Sequence, residues 1–124
     1  MTYCKKLVVT AIIAKENRIV SAGKNNPINE CNNTDCHVDG HCINTVHAEA
    51  AAIIKAGSKA RGATLFVSHE PCWQCRKIII AAEIKTVVYY NAYPNPLNER
   101  FVGDVEWIHE TGEGLHDFVR PVGF

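Results

Sequence analysis

Between Ala63 and Tyr90 the chain reads ATLFVSHEPCWQCRKIIIAAEIKTVVYY. The run ATLFVS, residues 63–68, is short, apolar and the length of one strand. Pro71 stands where a helix can open, because its missing N–H is one of the donors that a first turn leaves unpaired anyway; the helix is expected from Cys72 to about Ala82. TVVYY, residues 86–90, is β-branched and aromatic and reads as the next strand. Strand and helix alternate through the middle of the chain, which predicts an α/β sheet with covering helices.

Upstream, LVVTAIIA (Leu7 to Ala14) and Arg18 to Ala22 flank a Glu16-Asn17 turn and read as a hairpin ended by Gly23. From Lys24 to Asn44 the sequence is polar, crowded with Asn, Cys and His, and without apolar periodicity. It reads as a long loop, and long loops in compact domains are usually functional or tied down. Thr45 to Ala56 is alanine-rich and helical in spacing, with Asn44 or Thr45 as cap and Gly57 as stop. After Tyr93-Pro94-Asn95-Pro96 breaks the chain, Val105 to His109 reads as a last strand.

At 124 residues the expectation is a single domain, 1–124, since two would leave each half without a self-sufficient core. Apolar residues at 47% and charged ones at 21% exclude a disordered chain. Thirteen basic residues balance thirteen acidic ones, so no basic surface points to a nucleic acid polymer, and a small-molecule substrate is expected instead. Leu7 to Ala14 is too short for a signal peptide, and no run approaches the roughly 18 apolar residues of a membrane span. No membrane partner and a cytoplasmic location are therefore expected. Six cysteines sit among histidines at ligand spacings, which favours metal in a reducing compartment over a disulfide framework.

Two short motifs carry the chemistry: His47-Ala48-Glu49 at one helix start and Pro71-Cys72-Trp73-Gln74-Cys75 at the next. Alone, a histidine on an apolar helix is usually a packed residue, and a C-x-x-C is as readily a redox pair or half of a structural zinc site. Combined as H-x-E followed about 23 residues later by P-C-x-x-C, they match the signature of the zinc-dependent nucleobase deaminases. The residue types make sense: three ligands, His47, Cys72 and Cys75, leave a fourth tetrahedral position for water, which zinc acidifies to a pKa near ~7. Both motifs open helices, where backbone N–H groups and the dipole favour thiolate over thiol. Glu49 is assigned as the catalytic proton shuttle.

Asp39 to Glu49 (DGHCINTVHAE) resembles the region around the zinc histidine of deoxycytidylate (dCMP) deaminases, and Ser68 to Cys75 (SHEPCWQC) resembles their second zinc motif. Gly23-Lys24-Asn25-Asn26-Pro27 is similar to the turn that follows their first hairpin. The resemblance implies a three-layer α/β/α cytidine-deaminase-like fold with a central mixed sheet, hydrolysis of dCMP to dUMP and ammonia, a homo-oligomer, often a hexamer, and often control by dCTP and dTTP. It also implies that Asn25 contacts the nucleotide sugar and that a backbone carbonyl near Ser68 and Glu70 receives the exocyclic amine. Ala48 and Tyr93 complete the expected substrate set, with Lys24 supplying charge for the phosphate. Asn44 and Ala51 differ from the arginine and asparagine usual in the family.

The polar loop places Cys31, Cys36, His37, His41 and Cys42 within twelve residues. Cys31, Cys36, Cys42 and a histidine, His41 ahead of His37, are read as a second, structural zinc site that would offset the ordering entropy of the loop. The competing reading leaves Cys31 and Cys36 incidental. Two other functions stay open: a deaminase of a free cytidine-type nucleoside or modified base, and a non-catalytic zinc-stabilised binding module.

Overall fold

The computed structural model describes residues 7–29, 31, 36–38, 41–42 and 44–111. In chain order the strands and helices are β1 (Thr10–Lys15), β2 (Arg18–Lys24), β3 (Asn26–Pro27), β4 (His37–Val38), β5 (His41–Cys42), β6 (Thr45–Val46), α1 (Ala48–Ala56), β7 (Thr64–His69), α2 (Trp73–Ala81), β8 (Thr86–Asn91) and β9 (Glu106–His109), with single 3-10 turns at Gly57–Ala60 and Pro96–Arg100. Five strands form one sheet in the order β2-β1-β7-β8-β9. β1 is antiparallel to β2 and β7, whereas β7, β8 and β9 run parallel, so the sheet is mixed as expected. The β1–β2 hairpin turns through Glu16 and Asn17, both at positive φ, the backbone of a primed two-residue turn whose twist matches that of the strands.

Register puts Ala11 beside Val67 and Ile13 beside Leu65, and Leu65 beside Val87. These five side chains are fully buried, and they share one core with Ala48, Ala52 and Ala56 of α1 and Cys75 and Ile79 of α2. Among the described residues this helical layer packs on the sheet, and none of its helices is long and apolar enough to cross a membrane. The alanines let α1 lie close. At Gly23 a Cβ would stand 2.5 Å from the carbonyl oxygen of Ala48 and 2.8 Å from the amide of Ala52, so glycine there is a condition of the packing rather than the end of a strand.

Two local expectations shift. β2 runs two residues past Ala22, through Gly23. The helix expected from Thr45 begins at Ala48, because Thr45 and Val46 are claimed by pairing with Pro27 and Asn26, and its N-cap is His47. Neither Asn44 nor Thr45 caps it. The long polar loop is tied down by that pairing, by Ile28 N–H donating to the carbonyl of Asn44 at 2.8 Å, and by the β4–β5 pair.

Candidate active site

His47 and Cys72 are the N-cap residues of α1 and α2, both in extended backbone and neither making a side-chain cap. Glu49 and Cys75 follow in the first turns. Two helices thus bring their N-terminal ends together, and with them unpaired N–H groups and the positive ends of their dipoles. His47 Nδ1 lies 3.2 Å from Cys75 Sγ and 3.6 Å from Cys72 Sγ, and the three ligand atoms all fall within 4.8 Å of one another. Tetrahedral zinc, with bonds of about 2.0–2.1 Å to nitrogen and 2.3 Å to sulfur, sets nitrogen and sulfur ligands about 3.6 Å apart. The donor set therefore fits zinc in distance and in kind. Among the described residues this group offers three ligands, which leaves one tetrahedral position for a small molecule.

Electrostatics agree. The hydrogen bond to Cys75 and the neighbouring His47 lower the Cys72 thiol to about 4, while that same hydrogen bond and burial push Cys75 up. A bound divalent ion favours the thiolate form of both sulfurs. Glu49 is 5% exposed, and burial raises its carboxyl to about 7, opposed by a backbone hydrogen bond and by His47. A carboxyl poised near neutrality both accepts and returns a proton.

His47, Glu49 and Cys72 line one cleft, with Leu7, Val9, Asn25, Thr45, Ala48, His69, Glu70 and Tyr93, and Cys75 is buried behind them. Asn25, Ala48, Glu70 and Tyr93 of the expected substrate set are thus brought to the site. Ser68 is buried and does not line the cleft; its carbonyl accepts from Asn91 Nδ2 at 2.7 Å and its hydroxyl from the amide of Thr10 at 3.0 Å. Asn25 Oδ1 accepts from Val9 N–H at 2.9 Å and its Nδ2 donates to Leu7 O at 2.6 Å, pinning the N-terminal segment as a wall and leaving one amide proton for a ligand. The Glu70 carboxylate accepts from Tyr93 N–H at 3.0 Å and pairs with buried Arg76 at 3.2 Å. Arg76 in turn lies 4.1 Å over the Trp107 ring. Glu70 therefore holds the Tyr93 wall through its side chain. Trp73 stacks on Phe101 and Tyr89 on His109, away from the cleft lining.

Sequence reasoning passed over Thr45, His69 and Arg76. The Thr45 hydroxyl is buried without a hydrogen-bond partner on the cleft wall, a placement set by the β3–β6 pairing. His69 adjoins the second motif, and that adjacency was its only signal; Ser68 Oγ lies 2.9 Å from its Nδ1, and burial lowers its pKa. Arg76 reads as a surface helix residue until β9 brings Trp107 beside it.

The family model described as the cytidine and deoxycytidylate deaminase zinc-binding region matches residues 1–91. The chain belongs to this family. The chain is 41% identical over 97 residues to ComE operon protein 2 of Bacillus subtilis, a match covering 73% of this chain and 51% of that protein. It therefore spans about half the length of that relative. It is 32% identical over 103 residues to a deoxycytidylate deaminase of Mycobacterium phage D29, covering 69% of this chain and 80% of that one. Its fold is cytidine-deaminase-like: the dCMP deaminase of cyanophage S-TIM5, solved in complex with dCMP and dUMP, superposes with a TM-score of 0.67 at 30% identity, over 88% of this chain and 84% of that chain.

Proposed function

We propose that the chain is a zinc-dependent hydrolase that converts dCMP to dUMP with release of ammonia. The observation that carries the reading is the buried Glu49 carboxylate in the same cleft as His47 and Cys72, two of the three residues that could hold a metal ion. Zinc held by His47, Cys72 and Cys75 would supply an acidified water at neutral pH. The residues of the chain do the rest. Glu49 takes one proton from the attacking water and gives it to the pyrimidine ring nitrogen N3 as the C4–O bond forms; it then carries the remaining hydroxyl proton to the amine, so that the C4–N bond breaks, C4=O forms and ammonia leaves. Leu7, Val9 and Tyr93 of the cleft lining supply apolar surface for the ring, and Thr45 and the second amide proton of Asn25 offer polar contacts to the sugar.

A nucleoside substrate is the second reading, and one observation favours it: among the described residues no lysine or arginine lines the cleft, and Lys24 is exposed outside it. Ammonia release from dCMP, deoxycytidine, dCTP and an adenine nucleotide separates the readings. A kcat/KM highest for dCMP supports the proposal, equal efficiency on dCMP and deoxycytidine moves the enzyme to the nucleoside class, and no turnover of any cytosine compound by zinc-loaded protein overturns it. Homo-oligomerisation, up to a hexamer, and a cytoplasmic location belong to the same reading, the former checked by light scattering of the purified chain.

A further inference from the structure

Among the described residues between Asn29 and Asn44, burial runs in reverse: Val38 is 53% exposed, as is Ile28 just before them at 69%, while Cys31, Cys36 and Cys42 are buried at 3%, 5% and 7%. The three cysteines form a cluster of their own, separate from the core under the sheet. A small hydrophobic core would be built the other way round, with valine and isoleucine inside, because each contributes more apolar area than a thiol. Burial of sulfur at the expense of aliphatic carbon indicates that the sulfurs have a task beyond packing.

Their geometry names it. The Sγ atoms of Cys31 and Cys42 are 3.5 Å apart, and all three sulfurs fall within 4.8 Å of one another. In a tetrahedral zinc site with Zn–S bonds of about 2.3 Å, sulfur ligands stand about 3.8 Å apart. Asn44 Nδ2 points at Cys31 Sγ from 3.9 Å, the N–H to sulfur contact that commonly supports a ligating thiolate. Soft thiolates select zinc over magnesium or calcium. We propose that Cys31, Cys36 and Cys42 hold a second zinc ion, structural and distinct from the one assigned to His47, Cys72 and Cys75. A fourth ligand is at hand in sequence: the β4–β5 pair sets His37 opposite Cys42 and His41 opposite Val38. The side chains of both histidines lie outside those described.

The position of the cluster gives the ion a purpose. The segment leaves the site at Asn25, which lines the cleft, and returns at Thr45, which lines it too, with β3 paired to β6 across its neck. Two residues beyond Thr45 stands His47. A metal clip joining Cys31, Cys36 and Cys42 closes this loop, reducing the entropy cost of ordering it, and stiffens one wall of the cleft without touching the reacting atoms. Loss of the clip should therefore raise KM more than it lowers kcat.

Metal analysis tests the proposal independently of activity. Protein purified without chelator should carry about two zinc ions per chain, one for each three- or four-ligand site. The pair Cys31→Ser and Cys36→Ser should lower this to about one and reduce thermal stability, whereas the pair His47→Ala and Cys72→Ser should lose the other ion and keep the loop one. Should the serine variants fail to fold, the wild-type protein decides alone: on adding a zinc chelator, Cys31, Cys36 and Cys42 should become open to alkylation as a set, located by peptide mapping. A wild-type content near one zinc, or a folded Cys31→Ser, Cys36→Ser variant with unchanged metal content and melting temperature, overturns the second site while leaving the catalytic assignment intact.

Discussion

Gly23→Ala places a methyl group where β2 and α1 touch backbone to backbone. The new Cβ would stand 2.5 Å from the Ala48 carbonyl oxygen, and since ordinary contacts begin at 3.4 Å, the start of α1 must give by about 0.9 Å. Neither neighbour is a flexible side-chain tip that could swing aside; both closest atoms belong to the helix backbone. Overpacking of this kind costs about 1–3 kcal/mol. At this chain length that lowers the melting temperature by roughly 4 °C per kcal/mol. The larger effect is on rate. Ala48 sits between His47 and Glu49, so the shift moves the proposed ligand and the proposed shuttle together, and a misplacement on the order of 1 Å can cost about 10²-fold in turnover. Gly57→Ala is the control: at the far end of the same helix, at φ +58° with nothing within 4 Å, it is strained without crowding anything. Strain there costs a similar 1–3 kcal/mol or so but should leave the turnover of folded enzyme unchanged. Denaturant titration, zinc content and single-substrate kinetics on both variants make the comparison. If Gly23→Ala loses stability yet keeps the kcat of Gly57→Ala, the close approach of β2 to α1 does not position the site and the reasoning fails.

Other expectations follow from the same geometry. Glu49→Gln should keep fold and zinc while turnover falls by about 10²–10⁴, the worth of a positioned proton-transfer group, and retention of more than about a tenth of wild-type rate would remove Glu49 from that role. His47→Ala should lose catalytic zinc and thermal stability together, because metal binding is coupled to folding; unchanged zinc content would refute the ligand assignment. Thr45→Val exchanges a buried, unpartnered hydroxyl for a methyl group, so stability should hold or rise while kcat/KM falls by about 2- to 10-fold, the net worth of one neutral hydrogen bond; unchanged kinetics would show that the hydroxyl meets no substrate. Arg76→Met leaves the Glu70 carboxylate without its cation in a site where both side chains are nearly buried, and unfolding free energy should drop by about 3–5 kcal/mol; a drop of a few tenths would mean that the pair does not order the Tyr93 wall.

The amino-acid sequence alone was enough for the strands around Ile12, Phe66 and Val88, the helix between them and the mixed α/β class, because apolar runs and β-branched clusters act over a few neighbours. It was enough, too, to single out His47, Cys72, Cys75 and Glu49 as candidates, since H-x-E and P-C-x-x-C are spacings along one chain. What it could not supply are matters of distance between segments remote in sequence. Thr45 and Val46 have the composition of a helix start and become a strand, because Asn26 and Pro27 arrive opposite them and backbone pairing outweighs a weak local preference. Gly23 reads as a stop signal and is in fact the clearance that lets α1 reach the sheet. The meeting of His47 with Cys72 and Cys75, the burial that raises Glu49, and the cleft walls from Leu7, Val9 and Tyr93 all arise where β1, β7 and two helix ends converge. Three cysteines in a polar loop were visible as letters; that they turn inward together while Val38 turns out is a property of the folded backbone alone.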